Sequence, residues 1–336
     1  MPSSFDTRMR TRCAPQCQCR RLVERGSFCL PALVAACRLM TRGVRVALVL
    51  NENAGSAPSA GAAQRMIEAA GHRVVARLHD HDLAGLDPGD VDLVAVAGGD
   101  GTVRGAVIAM AGVRIPLAVI PFGTANNVAA TLGFSSDPEQ AVRAWRRARR
   151  IPLDLGIARG SFGEHRFLES AGGGLVARGI AVMDAEAPHP EEGDRYGMLR
   201  KAQARFASVL DGLRPQPCRW SLDGEEREGE LLLFEVLNSR SVGPRLALAP
   251  ENRPADGAFD VVIAGEAERA ELAAYLRDRA AGRRHGIRLP MQRAAHVRVQ
   301  GWDDLHVDDR VHHGSGAAAL TLTVDRAAIE VLALVE

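Results

Sequence analysis

Gly98-Gly99-Asp100-Gly101-Thr102 gathers residue types suited to holding phosphate. Glycines let a main chain approach phosphate oxygens closely and turn successive N–H groups toward them. A helix beginning at such a loop adds the positive end of its dipole. Asp100 is then placed to orient a metal ion, a sugar hydroxyl or an acceptor hydroxyl, and its plainer use is to cap the helix. A second loop, Gly123-Thr124-Ala125-Asn126-Asn127, has the same character. Thr124 and Asn126 supply hydrogen bonds for phosphate or adenine, or caps for the helix that follows. Later in the chain His306, Asp308, Asp309, His312 and His313 cluster. His306 and Asp308 share a strand face by period-two spacing, so they either contact a ligand or simply form a polar exposed edge. The run His79-Asp80-His81-Asp82 carries metal-ligand types, but adjacent ligands on a loop read as solvated.

These residues need elements to hold them. Val44 to Leu50 is a continuous apolar run, the pattern of a strand buried in a parallel sheet. A helix is predicted around Ala60 to Ala70, ending at Gly71, with a second strand from Arg73 to Leu78. Val91 to Ala97 makes a third strand that runs straight into the first glycine loop. A helix to Ala111, a strand from Leu117 to Ile120, the second loop and a helix from Pro138 to Arg149 complete an alternating pattern. Alternation of this kind predicts an open, doubly wound α/β sheet, and two loops at neighbouring strand ends form one crevice there. After Asp154 the pattern turns to strands, at 155–159, 166–172, 217–222, 230–238, 258–264, 295–300, 304–311 and 318–324. Helices interrupt them near 196–213 and 266–281, and Glu186 to Asp194 reads as a loop. Mostly antiparallel strands predict a β-sandwich second domain. The expected division is an extension at 1–42, an α/β domain at 43–155, a β-rich domain at 156–325, and a segment at 326–336 able to return to the first domain.

The chain has 336 residues, 46% of them hydrophobic and 25% charged, enough for two cores. A formal charge of +1 argues against a nucleic-acid binder. No stretch reaches the roughly 18 to 20 apolar residues that a bilayer crossing needs. Cys13, Cys17, Cys19, Cys29 and Cys37 all precede residue 40, and Cys218 stands by itself in the body. The folded part therefore has no disulfide framework, which suits a reducing cytoplasm. Cys13-x3-Cys17-x-Cys19 lacks the spacing of a structural zinc site, and Pro31 and Arg38 interrupt what would otherwise resemble a signal segment.

From Ala97 to Phe134 the chain resembles the diacylglycerol kinase catalytic domain family, in particular its soluble bacterial lipid kinases and their sphingosine kinase relatives. The resemblance extends over most of residues 44–333. It takes in Leu153-Asp154-Leu155-Gly156, Tyr196-Gly197, Asn238-Ser239, Ala249-Pro250, and Ala255-Asp256-Gly257-Ala258-Phe259-Asp260. NAD kinases and phosphofructokinases share the first loop but not usually the second, nor the later Pro…Asp-Gly step. The resemblance implies an NAD-kinase-like α/β domain followed by the β-sandwich. It also implies transfer of the γ-phosphoryl group of ATP to a lipid hydroxyl, in the cytoplasm and transiently at the inner membrane surface. A homodimer is compatible with it.

Carried onto these positions, it implies that Asn51, Gly55, Ala97, Gly98, Gly99, Asp100, Gly101, Thr102, Val103, Thr124 and Asn126 bind ATP. Asp256 would hold a structural Mg²⁺ with the carbonyls of Arg253 and Ala258, an oxygen set suited to a hard cation. The family's base glutamate belongs to a late Asp-Gly-Glu step, which here reads Asp308-Asp309-Arg310. Arginine cannot accept a proton, so Asp100 or Asp309 is the expected catalytic base. Asp309 serves only if a turn or bulge re-aims it. Arg104-Gly105 stands where the family has Asn-Glu, and Asn127 where it has an acidic residue. Two other readings stand beside the lipid kinase. One is a nucleotide- or lipid-binding protein of the same fold that has lost turnover; the other is a kinase for NAD or a small polyol.

Overall fold

A computed structural model describes residues 43–50, 60–185, 195–313 and 319–334. Asn51 and Gly55 lie outside the described residues. The first half begins with β1 (Arg45–Leu50), α1 (Ala60–Ala69), β2 (Arg73–Leu78), β3 (Leu93–Gly98), α2 (Asp100–Ala109) and β4 (Leu117–Pro121). Two short helices follow, α3 (Asn127–Thr131) and α4 (Pro138–Ala144). The four strands are parallel in the order β2-β1-β3-β4. β3 and β4 are buried at every residue, as strands with helices on both faces must be. Ile67 of α1, with Met110 and Trp145 at the C-terminal ends of α2 and α4, closes this core.

β5 (Arg149–Gly160), β6 (Gly163–Phe167) and β7 (Ser170–Gly174) open the second half, followed by α5 (Leu175–Ala185) and α6 (Arg195–Gly212). Then come β8 (Gln216–Leu222), β9 (Glu225–Leu231), β10 (Leu233–Leu237), β11 (Phe259–Ala264) and α7 (Arg269–Ala280). β12 (Met291–Ala294), β13 (His296–Gln300), β14 (Asp304–Val307), β15 (Arg310–His313) and β16 (Leu320–Ala333) complete the elements. Two sheets face each other here. One, β12-β11-β10-β7-β14-β15, is antiparallel throughout. The other is the continuation of the parallel sheet: β16 pairs β4 at Val331–Leu117 and then carries β13, β8 and β9. Phe167, Phe234, Phe259, Trp302 and Leu322 fill the space between the sheets. The far face of the six-stranded sheet is covered by α5, α6 and α7 through Leu175, Phe206, Leu210 and Tyr275. The α/β half and the antiparallel sandwich are thus the expected fold, joined through one sheet.

Two local differences bear on the site. The segment read as one strand over 304–311 is a hairpin, with Asp308 and Asp309 as its two-residue loop. Asp308 takes a left-handed conformation at φ 53°, which a short polar side chain tolerates. The helix α5 is not among the expected elements; it directly follows Gly172-Gly173-Gly174. Those glycines are demanded by packing: a Cβ on Gly173 would lie 2.5 Å from the Trp302 ring.

Candidate active site

The two glycine loops emerge side by side because β3 and β4 are neighbours in register, Gly98 opposite Pro121. Their backbones touch. A Cβ on Gly123 would stand 2.4 Å from the Gly99 Cα, and one on Gly99 would stand 3.1 Å from the Gly123 Cα. No side chain fits between them. Gly98 makes room for Thr102, whose Cβ would meet a Gly98 Cβ at 2.6 Å. Gly99 is the N-cap of α2, so the first N–H groups of that helix have no partner within it. Gly101 faces open space apart from Asp309 Oδ2, 3.7 Å from where its Cβ would be.

The second loop is locked by its own side chain. Asn126 is buried and left-handed at φ 52°. Its Oδ1 accepts from the Gly123 N–H at 2.9 Å and its Nδ2 donates to the Gly123 carbonyl at 2.7 Å. Both ends of Asn126 are therefore spent on loop shape, while Thr124 faces a cavity. Asp100 reaches across to accept from the Val128 N–H at 3.1 Å, capping α3. The capping role anticipated for Asp100 thus applies to the neighbouring helix rather than to its own.

A cavity of about 250 Å³ opens beneath the loops. Asp100, Thr124, Glu169, Asp184, Asp308 and Asp309 give its lining polar groups, and Ile180, Met183, Leu199, Ala202 and Phe206, from α5 and α6, give it an apolar wall. Asp308 is buried and its carboxylate accepts backbone N–H groups from Leu168 (3.1 Å), Glu169 (2.8 Å) and Ser170 (3.3 Å). Asp309 is largely exposed and forms an ion pair with Arg104 of α2, which ties the hairpin to the glycine-loop helix. Arg245 donates to the Ala125 carbonyl.

Glu169, which the sequence pattern did not single out, accepts from Asn127 Nδ2 at 2.8 Å. Its signal was a lone acidic residue within the apolar run Phe167-Leu168-Glu169-Ser170-Ala171. Asn238 fixes that segment by donating to the carbonyls of Asp154 (2.8 Å) and Leu168 (3.1 Å), and Ser239 Oγ donates to the Glu169 carbonyl at 3.3 Å.

Burial is the main reason that the carboxyls of Asp100, Asp308 and Asp184 stand above the ordinary carboxylate range. Glu169 is pushed well above it, first by burial and then by the charges of Asp100 and Asp308. Arg104 and Arg245 are cations that face this cluster.

His306 is neither an exposed polar residue nor a ligand-facing one. It is fully buried, with Nε2 2.9 Å from Glu235 Oε1 and Nδ1 2.8 Å from the Asp308 carbonyl. The pair supports the Asp308 turn from below. His312 stacks on Phe162 at 4.0 Å, and His313 meets Asp304 at 2.7 Å. In the His79–Asp82 run, the Asp82 carboxylate accepts the His79 backbone N–H at 3.3 Å, closing a short 3-10 turn.

Arg253, Asp256 and Ala258 lie away from this cavity. The Asp256 carboxylate pairs with Arg293, and Arg326 donates to the Gly257 carbonyl at 3.2 Å. Two guanidinium groups already supply the positive charge at this loop, so its residues do not fit Mg²⁺ as they are arranged. Asp154 anchors the loop instead, its carboxylate accepting the N–H groups of Gly257 and Ala327 at 2.7 Å each. Among the described residues no three His, Cys, Asp or Glu side chains form a metal-holding group. No helix among them is long and apolar enough to cross a membrane.

Residues 45–158 match the family model described as the diacylglycerol kinase catalytic domain. Residues 185–333 match the one described as the YegS C-terminal NAD kinase beta sandwich-like domain. A diacylglycerol kinase of Bacillus subtilis (strain 168) is 32% identical over 186 residues, 54% of this chain and 58% of the relative. One from Mycobacterium tuberculosis is 33% identical over 202 residues, 58% of this chain and 62% of the relative. The aligned part therefore spans about three fifths of the length of these curated relatives. A crystal structure of a diacylglycerol kinase from Bacillus anthracis str. Sterne shares the fold. Its TM-score is 0.62 at 19% identity, covering 86% of this chain and 96% of that one.

Proposed function

We propose that this chain, which belongs to the diacylglycerol kinase catalytic domain family, is an ATP-dependent kinase for a lipid hydroxyl. The observation that carries the reading is the cavity's two unlike sets of lining residues. One set comes from the two glycine loops, which are in backbone contact, and the carboxylates beside them; the other is a wall of aliphatic and aromatic side chains from α5 and α6. A phosphate donor suits the first and an acyl chain the second.

Phosphoryl transfer depends on positioning and charge neutralisation more than on covalent chemistry. The amides of Gly99 to Thr102 and of Thr124 and Ala125 would cradle the phosphates, with the α2 dipole aimed at them. Thr124 would donate to a phosphate oxygen. Asp100, by capping α3, would hold the two loops in one geometry. Mg²⁺ would arrive on the triphosphate, held through phosphate oxygens, and neutralise their charge. Ile180, Met183, Leu199, Ala202 and Phe206 would bury the acceptor's chain and leave its hydroxyl facing the carboxylates.

Purified protein with Mg²⁺ and radiolabelled ATP, presented with diacylglycerol, phosphatidylglycerol and sphingoid bases, tests this. Labelled lipid is expected from the wild type and not from Asp100→Ala. Label on none of the lipids, or equal labelling by both proteins, contradicts it. Labelling of NAD or a small polyol in place of every lipid would transfer the reading to those acceptors.

A further inference from the structure

We propose that Glu169 is the general base that takes the acceptor hydroxyl's proton, a role that rests on the kinase reading of this cavity. Five carboxylates line the cavity; Asp184 of α5 is exposed to solvent, and three of the other four are already committed. Asp100 holds the Val128 N–H at 3.1 Å. Asp308 accepts from three consecutive backbone N–H groups, those of Leu168, Glu169 and Ser170. Asp309 is clamped by Arg104 and turned toward solvent. A proton abstracted by Asp100 or Asp308 would displace hydrogen bonds that hold a helix start or a strand start in place, and buried N–H groups left unpaired are costly.

Glu169 differs from all three. Its Oε2 accepts from Asn127 Nδ2 at 2.8 Å, and no partner for Oε1 is found among the described residues. The residue lines the same cavity as Asp100 and Thr124 of the glycine loops and the apolar side chains of α5 and α6, the space in which the reacting hydroxyl must lie. Its main chain is fixed from behind by Asn238 and Ser239, so the group is positioned rather than loose. Burial and the charges of Asp100 and Asp308 hold it well above the ordinary glutamate range, so its carboxylate binds a proton more readily than an exposed one. The groups facing it are Asp100 and Arg104 from α2 and Asp308 from the β14–β15 turn. Asp184 of α5, Asp309 and Arg245 complete the charged surroundings of the cavity.

In the step itself the hydroxyl oxygen gives an electron pair to the γ-phosphorus and keeps the pair of its broken O–H bond. The proton passes to Glu169 Oε1. The β,γ-bridging oxygen leaves with the pair of its P–O bond, as ADP. Glu169 then releases the proton to water when product departs.

The test compares wild type, Glu169→Gln and Glu169→Asp on the lipid that the wild type labels. Glu169→Gln keeps the acceptor for Asn127 but cannot take a proton. Its kcat is expected to fall by about 10²- to 10⁴-fold with the KM for ATP within about twofold, and Glu169→Asp should recover part of the loss. The acid limb of the wild-type kcat/KM profile should be absent from Glu169→Gln. In a separate measurement, the Glu169 carboxyl carbon, assigned by its loss in Glu169→Gln, should titrate above ordinary glutamate. An undiminished Glu169→Gln overturns the base while leaving the kinase reading intact, and so does titration of Glu169 in the ordinary range. A wild type that labels no hydroxyl lipid overturns the kinase reading and the base together.

Discussion

Asp100-Gly101 and Asp256-Gly257 are the same dipeptide in two turns, and their surroundings make them opposites. At the first, the space above the glycine is open, and its nearest neighbour is the Asp309 carboxylate. At the second, a Cβ on Gly257 would collide at 2.5 Å with the Arg326 guanidinium. Asp100 faces backbone N–H groups and other carboxylates, whereas Asp256 faces Arg293. One turn therefore has hydrogen-bond donors free for a phosphate, and the other has its charge and its space already filled. The deciding groups are remote in sequence, since Arg293 and Arg326 lie on or near strands that only the fold brings to residue 256.

Breaking the open turn should cost most. Gly123→Ala forces a Cβ against the Gly99 main chain, with overpacking of about 1–3 kcal/mol. A lower Tm and loss of Mg·ATP stabilisation are expected in a thermal shift assay. An unchanged response to Mg·ATP would mean that the loops are not where the phosphates sit. Asp100→Ala comes next. Loss of its cap on α3 should cost about 1 kcal/mol by denaturant titration and abolish lipid labelling, because the second loop is no longer held against the first.

The closed turn gives the third prediction. Removing both guanidinium groups, as Arg293→Gln with Arg326→Gln, should leave Asp256 exposed to cations. Mg²⁺ should then raise the Tm of the variant and leave the wild type's loop unaffected. The same rise in both proteins would show that the arginines do not compete with a metal. The smallest effect belongs to the clamp between halves. Asp309→Asn loses the exposed end of the Arg104 pair, and should cost about 0.2–1 kcal/mol with a clear dependence on salt.

The difference between the turns also explains what the sequence could tell. The strand–loop–helix units around Gly98 and Gly123 were legible because their signals are local: an apolar run, glycines, then helical periodicity. The antiparallel second half was legible from its alternation and turns. The Asp308-Asp309 hairpin was read as strand because Leu305, Val307 and Val311 continue a period-two pattern through the turn, and the left-handed Asp308 leaves no composition signature. Glu169 was missed for a related reason. In a single strand it would be one polar residue among apolar ones, and its place in the cavity follows from Asn238, Ser239 and Asp308, which are 69 or more residues away. The Asp256 loop was read through resemblance to a family, and the two arginines that alter its chemistry are outside the motif. Local chemistry was visible in the chain; which charges meet across the fold was not.

Hydrogen–deuterium exchange with and without Mg·ATP tests the central claim most directly. Two loops acting as one phosphate cradle should gain protection together, at the amides of Gly99 to Thr102 and of Thr124 and Ala125, over the same range of nucleotide concentration. Protection confined to one loop, or found only elsewhere in the chain, would contradict it.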